Sequence, residues 1–256
     1  MTAALFSARD LCFDVPGRRL LNGLTLDIPP GITALIGRNG SAKSTLLKLL
    51  AGQTRPSAGT LHYGGQPLAS WTPRALARDM AFLPQVTPPT EGLLLRELVA
   101  LGRYPWRGAL GRLGPEDHAQ VAGAIAACGV AHLADRLVDT LSGGERQRGW
   151  IAMMLAQGAR TLLLDEPISA LDLAHQLEVL GLLRDTARAR GLSAVIVLHD
   201  VNMAVRFCDH VIALRDGAPV LQGPARSLLD PEALMRIYGV RMQILPATPL
   251  PVIHPC

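Results

Sequence analysis

The sequence has no long run of apolar residues. No stretch approaches the roughly 18 consecutive apolar residues that a membrane-spanning helix needs. Residues 1–10 also lack the basic segment followed by an apolar core that is typical of a secretory signal. We therefore expect a chain that is soluble by itself and carries neither a secretory signal nor a transmembrane helix.

Cysteine is scarce, and the few cysteines lie far apart. They are Cys12, Cys128, Cys208 and Cys256. None belongs to a CxxC pair or to a Cys/His pattern with the spacing of zinc ligands, and residues so scattered do not indicate a disulfide framework. The pattern predicts neither a zinc site nor disulfides, and it favours a reducing cytoplasm.

Concentrated basic segments are missing as well. The formal net charge is +4, but the Arg and Lys residues are scattered and no basic block is interleaved with aromatic residues. We therefore expect no nucleic-acid partner, whereas contact with an anionic membrane face stays open. No internal repeat divides the 256 residues, so one large domain or two unequal lobes are both compatible with the length.

One glycine-rich stretch lies between an apolar run, 32–36, and a helical run, 46–51. This strand, loop and helix order turns backbone N–H groups toward one point and suits a polyphosphate, with the lysine supplying a mobile charge and the following serine a hydroxyl for Mg²⁺. The alternative is a glycine-rich turn without chemical function. The residues of this predicted P-loop are Gly37, Arg38, Asn39, Gly40, Ser41, Ala42, Lys43, Ser44 and Thr45.

Ala42 departs from the P-loop pattern, which has glycine immediately before the lysine. Glycine at such a position indicates a left-handed or crowded backbone, where a Cβ atom costs about 1 to 2 kcal/mol. We therefore expect weakened nucleotide binding, not its loss.

The order of periodic segments predicts an α/β fold. Residues 5–28 alternate around a Pro-Gly turn, which predicts an antiparallel strand pair. Apolar runs at 161–164 and 194–198 are separated by a helical pattern at 173–190, which is typical of a parallel sheet. We predict a mainly parallel core sheet, an antiparallel β subdomain and an inserted α-helical subdomain.

The inserted helical lobe is predicted at about residues 86–158, within a domain that spans residues 1–245. Its helical patterns at 93–103 and 115–128 flank a loop at 102–114 that is rich in Gly, Pro and aromatic residues. Tyr104, Pro105 and Trp106 in this loop either dock on a partner or pack the core of the lobe. The Pro-rich tail, 246–256, is predicted to be extended or mobile.

Polar residues end two of the apolar strands. Asp165 and Glu166 follow the strand at 161–164, and His199 follows the strand at 194–198. Because ligands gather at the carboxyl ends of parallel strands, we expect Asp165 beside the P-loop, holding Mg²⁺ through water, and Glu166 as the base that activates water. The alternatives are solvated loop carboxylates and a structural histidine.

A second helix start, at residues 141–148, also has the composition of an anion site. Ser142, Gly143 and Gly144 combine a hydroxyl with two glycines. An ordinary N-cap with a polar first turn explains the same residues. One nucleotide bound by one chain does not require two such sites.

These motifs occur in the order of the ATP-binding cassette (ABC) ATPases, and the resemblance covers residues 5 to about 240. It implies binding of ATP and Mg²⁺ by a head-to-tail homodimer in which the ABC signature of one chain completes the site of the other. Ile168 in place of Thr, and Val15 near the usual adenine-stacking aromatic, depart from the family pattern.

The resemblance implies a role for each motif residue. Gln85 of the Q-loop serves hydrolysis with Glu166 and His199, and it holds Mg²⁺ with Ser44 and Asp165. The resemblance places the ABC signature at Leu141–Gln147 and the D-loop at Ser169–Asp172. It implies that these two segments contact nucleotide through Ser142, Gly143, Gly144, Gln147 and Asp172.

The chain also resembles a narrower group, the ATPases of ferric hydroxamate siderophore importers. This implies a membrane permease as partner, an indirect link to a substrate-binding protein, and a peripheral location on the cytoplasmic face of the bacterial inner membrane. Related cassettes serve haem, cobalamin or other iron chelates. The resemblance rests on segments 102–106, 108–112, 136–139, 150–153, 174–176 and 198–203.

A soluble cassette that acts on a macromolecule is the second class of function, and the third, a small-molecule kinase with a P-loop, leaves Ser142–Gln147 unexplained.

Overall fold

A computed structural model describes residues 4–108, 111–248 and 250–256. Ala109 and Leu110, in one of the segments that carry the siderophore-importer resemblance, and Pro249 in the predicted tail lie outside the described residues. The chain divides into two compact units, one formed by Met1–Trp71 with Ser193–Cys256 and the other by Thr72–Leu192. Each unit is described by itself below.

The regular elements follow the predicted alternation of strands and helices. In chain order they are β1 Phe6–Val15, β2 Arg18–Ile28, β3 Ile32–Gly37, α1 Lys43–Leu50, β4 Ala58–Tyr63, β5 Gln66–Pro67, α2 Pro73–Asp79, β6 Met80–Leu83, α3 Leu95–Leu101, α4 Tyr104–Arg107, α5 Pro115–Ala127, α6 Gly143–Gln157, β7 Thr161–Leu164, α7 Leu173–Arg190, β8 Ser193–Val197, α8 Val201–Phe207, β9 His210–Arg215, β10 Ala218–Pro224, α9 Pro231–Tyr238, β11 Met242–Leu245 and β12 Val252–Pro255.

In the first unit, β3 is the central strand of the parallel sheet. It pairs in parallel with β8 on one side and with β9 on the other, and β10 adds an antiparallel edge. Every residue of β3 is buried, as are Ala194 to Val197 of β8. Strands buried on both faces are continuous apolar runs, which is why the sequence pattern identified them.

An antiparallel sheet with the order β2-β1-β4-β5 forms the other layer of this unit. β1 and β2 pair from Phe6 opposite Ile28 to Val15 opposite Arg18, so the predicted hairpin around the Pro-Gly turn is confirmed. Its inner face is apolar, and the rings of Phe6 and Tyr63 lie 4.9 Å apart between centroids.

The second unit contains a parallel pair, β6 and β7, with helices around it. The described residues between these two strands form helices and loops, with one isolated bridge between Leu94 and Leu137. The predicted helical insertion is therefore confirmed, whereas its limits at 86 and 158 stay a prediction. Helices α3, α5 and α6 supply its core, which includes Leu95, Leu98, Val121, Ile125 and Ile151.

A buried ion cluster lies in this helical lobe. Asp117 is fully buried and accepts hydrogen bonds from the guanidinium groups of Arg103 and Arg107 and from the N–H of Gly114. Burial alone would raise the pKa of the Asp117 carboxyl, but these three donors outweigh burial and lower it to about 2. The carboxylate therefore stays charged and fixes the start of α5 to the segment around α4.

Part of the predicted loop at 102–114 is helical. Tyr104–Arg107 form the one-turn helix α4, because Pro105 at its first turn presets the backbone for a helix. Trp106 donates its Nε1 hydrogen to the Gln157 carbonyl at 2.7 Å, whereas Tyr104 is 61% exposed. The aromatic cluster therefore divides into a packed member and an exposed one.

The predicted tail is extended where it is described as a strand. Val252–Pro255 pair with Met242–Leu245 to form the β11–β12 hairpin. The short helix α8 was not predicted from the sequence. No described helix combines the length and apolarity that crossing a bilayer requires.

Candidate nucleotide-binding site

The P-loop connects the carboxyl end of β3 to the first residue of α1. Gly37 has a φ of 143°, and a Cβ atom built on it would lie 2.1 Å from the carbonyl oxygen of Leu214. Neither the backbone angle nor the space admits a side chain, so glycine is required here. Gly40, with a φ of 79°, makes the second turn of the loop.

Lys43 and Ser41 are both turned into this loop. Lys43 is only 5% exposed. Its Nζ atom donates hydrogen bonds to the carbonyls of Gly37 at 2.9 Å and Arg38 at 3.1 Å. The Ser41 hydroxyl oxygen is buried and has no hydrogen-bond partner among the described residues. A buried cation, an unsatisfied hydroxyl and a helix N-terminus together fit a bound anionic group.

Ala42 has a left-handed backbone, the first of the two conformations predicted for this position from the sequence. Its φ is 72° and its ψ is 25°, and it stands at the N-cap of α1 without a side-chain hydrogen bond to that helix. A residue with a Cβ atom is strained in this conformation by about 1 to 2 kcal/mol. The strain lies in the loop that surrounds the lysine.

Within the first unit, His199 and the P-loop both lie at the carboxyl end of the parallel strands. β8 runs parallel to β3, with Val197 opposite Leu35, and the N–H of Leu198 donates to the Leu35 carbonyl at 3.1 Å. Gly37 and His199 each come two residues after these partners. Parallel pairing therefore brings the histidine to the end of the sheet where the phosphate loop begins.

In the second unit, Gln85 and Glu166 meet at the carboxyl ends of β6 and β7. The N–H of Asp165 donates to the Leu83 carbonyl at 2.9 Å, and the Gln85 Nε2 atom donates to Glu166 Oε2 at 2.8 Å. Glu166 has a φ of 51°, a strained value for a residue with a side chain. Asp165 beside it is 2% exposed. The sequence predicted both residues but not their contact.

Ser142 caps the N-terminus of α6. Its Oγ accepts from the N–H of Glu145 at 3.3 Å, while its own N–H donates to the Glu145 carboxylate at 2.9 Å. The hydrogen bonds from the Ser142 backbone and hydroxyl lower the pKa of Glu145. The N-cap interpretation is thus confirmed, and the predicted contact of Ser142 and Gln147 with a partner's nucleotide stays a prediction.

The signature and the D-loop meet through a histidine. Asp172 caps α7 and accepts from both the backbone N–H and the Nδ1 of His175, each at 2.9 Å. The backbone hydrogen bond from His175 is the largest cause that lowers the pKa of Asp172. A Cβ atom on Gly144 would lie 2.4 Å from His175 Cδ2. This contact was not predicted from the sequence, although His175 stands three residues after an N-cap aspartate.

The predicted residues thus form groups within each unit. Gly37, Lys43 and His199 share an edge of the first unit, and Gln85, Asp165 and Glu166 share an edge of the second. The expected proximity of Asp165 to the P-loop joins the two units and stays a prediction. Among the described residues, no group of three or more His, Cys, Asp or Glu side chains could hold a metal by itself.

Comparison with known proteins assigns the family. The sequence matches the ABC transporter family over residues 21–169. The iron(3+)-hydroxamate import ATP-binding protein FhuC of Bacillus subtilis (strain 168) is 42% identical over 238 residues, which cover 92% of this chain and 88% of that protein. The hemin import ATP-binding protein HmuV of Nocardia farcinica (strain IFM 10152) is 44% identical over 233 residues, which cover 90% of this chain and 79% of that protein.

A solved structure supports the same assignment. The structure of an inward-facing conformation of a metal-chelate type ABC transporter matches with a TM-score of 0.84 and 28% identity, covering 98% of this chain and 96% of that chain. The chain belongs to the ABC transporter family, as one of its ATP-binding subunits. The fold class predicted from the sequence is therefore confirmed.

Proposed function

We propose that this chain hydrolyses ATP to drive a bacterial importer of ferric hydroxamate siderophores, working as a head-to-tail homodimer beneath a membrane permease. The observation that carries the proposal is the contact of Gln85 with Glu166 at the end of β7. A carboxylate fixed by an amide at a strand end is suited to orienting a water molecule. The family assignment supports ATP as the nucleotide.

The P-loop residues fit a polyphosphate. The buried Lys43 ammonium and the Ser41 hydroxyl, which lacks a partner among the described residues, are the observations that support the fit. Mg²⁺, when bound, would neutralise phosphate charge, and the hydroxyl of Ser44, the carboxylate of Asp165 and the amide oxygen of Gln85 are the hard oxygen ligands that we propose for it. Val15 at the end of β1 offers no aromatic ring for the adenine.

Glu166 is the general base in this proposal. Its Oε2 atom already accepts a hydrogen bond from Gln85, so the amide restricts the carboxylate to one orientation. Glu166 would accept the proton of the attacking water, and His199 would donate a hydrogen bond toward the γ-phosphate. A water held in one orientation reacts more readily than a freely turning one.

The signature supports the dimer. Gly143 and Gly144 open α6 beside the side chains of Leu171 and His175, so the signature and the D-loop form one surface within the second unit. In the proposed dimer this surface, with Ser142, Gln147 and Asp172, faces the nucleotide of the partner chain. Each bound nucleotide would then contact the N-terminus of α1 in one chain and the N-terminus of α6 in the partner chain.

The cargo is the finest part of the proposal. Hydroxamate siderophores are supported by the resemblance of segments such as 102–106 and by a relative named for iron(3+)-hydroxamate import. A relative named for hemin import has 44% identity, so haem is the second candidate. A membrane permease and a substrate-binding protein would carry the chelate, with this subunit peripheral on the cytoplasmic face.

The hydrolysis step is tested by Glu166→Gln. We expect ATP binding to persist and turnover to fall by about 10² to 10⁴-fold, because the amide cannot accept the proton. Gel filtration with ATP should show a long-lived dimer. Glu116→Gln, at an exposed carboxyl in the first turn of α5, is the matched control and should hydrolyse ATP at the wild-type rate. Wild-type turnover in Glu166→Gln would remove Glu166 from the role.

The cargo is tested by uptake. Cells that contain the chain together with the permease and binding protein with which it assembles should accumulate a labelled ferric hydroxamate, and Lys43→Ala should abolish this uptake. Accumulation of haem or cobalamin instead would reassign the cargo and leave the ATPase proposal intact. ATP hydrolysis without any permease association would favour a soluble cassette.

A further inference from the structure

A short helix follows His199 almost immediately. α8 begins at Val201, and Asp200 caps it by accepting from the N–H groups of Asn202 at 2.7 Å and Met203 at 3.3 Å. The histidine is therefore joined to the first turn of α8 through a single capping residue. A displacement of that turn would move His199 with it.

Asn202 has a second set of hydrogen bonds that leads away from the site. Its Nδ2 donates to the carbonyl of Ile253 at 3.1 Å, and its Oδ1 accepts from the N–H of Ile253 at 2.8 Å. The side-chain amide thus pairs with both backbone groups of one residue, as a neighbouring strand would. It attaches α8 to the edge of β12.

The β11–β12 hairpin is itself anchored where Asn202 binds it. Ile253 is 5% exposed and pairs with Ile244 of β11. A two-stranded hairpin alone is marginally stable, so contacts with other elements are needed to order it. The amide pairing supplies one such contact and satisfies a donor and an acceptor that would otherwise lose their partners.

We propose that Asn202 is a positioning residue through which the β11–β12 hairpin holds His199 at the phosphate edge of the sheet. The inference rests on the proposed function, in which His199 acts on the γ-phosphate. The connection runs from Ile253 through the Asn202 amide to the capped first turn of α8 and then to His199. The tail thereby serves hydrolysis without contacting nucleotide.

The first test is Asn202→Leu, which keeps the size of the side chain and removes both amide groups. We expect kcat for ATP hydrolysis to fall about five- to tenfold, the factor that one lost hydrogen-bonded contact produces. The Kd for ADP should stay within about twofold, because ADP has no γ-phosphate for His199 to contact. Gln243→Ala, at an exposed residue of the same hairpin, is the control and should match the wild type.

The second test places Asn202→Leu in a His199→Ala background. If Asn202 acts through His199, the double variant hydrolyses ATP no more slowly than His199→Ala alone, because effects transmitted through one residue are not additive. A further severalfold fall in the double variant would assign Asn202 a general structural role and overturn the proposal.

A direct readout of His199 separates this inference from the proposed function. The imidazole NMR signals of His199, assigned by their loss in His199→Ala, should shift equally in Asn202→Leu and in a chain without residues 251–256. Unchanged His199 signals in Asn202→Leu would overturn the inference whether or not ATP is hydrolysed. Absence of ATP hydrolysis by the wild-type chain, with the shifts present, would instead count against the proposed function alone.

Discussion

Two helices with anion-type sequences begin in opposite ways. α1 starts at Lys43 after the left-handed Ala42, and its described first turn has neither a side-chain cap nor an acidic residue. α6 starts after Ser142 and has a complete capping box with the carboxylate of Glu145. The first turn of α1 thus contains no acidic residue to offset the positive end of its helix dipole, whereas the Glu145 carboxylate in the first turn of α6 offsets that of α6.

This difference indicates different tasks for the two helix starts. A helix N-terminus beside a lysine and without an acid of its own suits the concentrated charge of several phosphate groups. A capped N-terminus is stable without ligand and offers a hydroxyl and glycine backbone on a fixed surface. In the proposed dimer, the signature of one chain is therefore suited to adding contacts to a nucleotide whose phosphate groups are bound by the P-loop of the other chain.

The largest effects are expected when the start of α1 and the start of α6 are altered in separate variants. In the proposed dimer, Lys43→Ala and Ser142→Ala should each lose more than about 10²-fold in turnover, because each change would remove transition-state contacts from both composite sites. A mixture of the two chains should regain activity, because one site of the mixed dimer is intact. Purified heterodimers with no more activity than either parent would show that the two helix starts do not share a site.

At its far end, α6 receives hydrogen bonds from α4 and from Arg103, the residue before α4. Arg103 Nη1 donates to the Ala156 carbonyl at 2.8 Å, and Trp106 Nε1 donates to the Gln157 carbonyl. Trp106→Ala should lower the free energy of unfolding by about 2 kcal/mol, less than for a fully buried tryptophan because the residue is 37% exposed. Urea denaturation measures this loss.

Tyr104→Ala is the matched variant on the same turn. The residue is 61% exposed, so stability and ATPase should stay near wild type while co-purification with the permease falls. A large loss of stability in Tyr104→Ala, or none in Trp106→Ala, would reverse the division between packed and exposed members of the aromatic cluster.

Ala42→Gly tests whether the strained backbone at the start of α1 weakens ATP binding. Glycine adopts the φ of 72° without the steric cost of a Cβ atom, so the variant should bind ATP about tenfold more tightly, which corresponds to about 1.4 kcal/mol. Calorimetric titration with ATP measures the difference. Equal affinities of the wild type and Ala42→Gly for ATP would mean that the substitution removes as much strain from the free loop as from the nucleotide-bound loop.

The smallest effect is expected at the start of α6 for Glu145→Gln. The pKa of Glu145 is lowered in the folded chain, so its stabilisation is present above the ordinary carboxyl range and is lost as pH falls through the folded pKa. The wild type should exceed the variant in unfolding free energy by about 0.3 to 1 kcal/mol at neutral pH, and the difference should vanish in acid. A difference independent of pH would contradict the role of the charge.

Local patterns predicted most of the fold. The limits of α7 agree with the helical pattern predicted at 173–190, because an N-cap aspartate opens this helix and a glycine closes it. The strand β7 was equally clear as an apolar run that ends in acidic residues. The glycine expected before Lys43 predicted a left-handed or crowded backbone at Ala42, and its φ of 72° agrees with the first alternative.

The parts that could not be predicted depend on contacts between distant segments. Nothing local distinguishes Asn202 from other polar helix residues, since its partner Ile253 lies 51 residues further along the chain. The contact of Gln85 with Glu166 likewise spans 81 residues. α4 was missed because one turn of helix gives no periodicity, and the hydrogen bond of Trp106 with Gln157 comes from the fold.

The close approach of His175 to Gly144 also limits how this sequence can change over evolutionary time. Any side chain at position 144 would overlap the imidazole, since even a Cβ atom would lie 2.4 Å from Cδ2. A side chain at position 144 therefore requires the imidazole either to turn away, which breaks its Nδ1 hydrogen bond to Asp172, or to be replaced by a smaller side chain. Substitutions at 144 and 175 are thus coupled, and their effects on stability should not be additive.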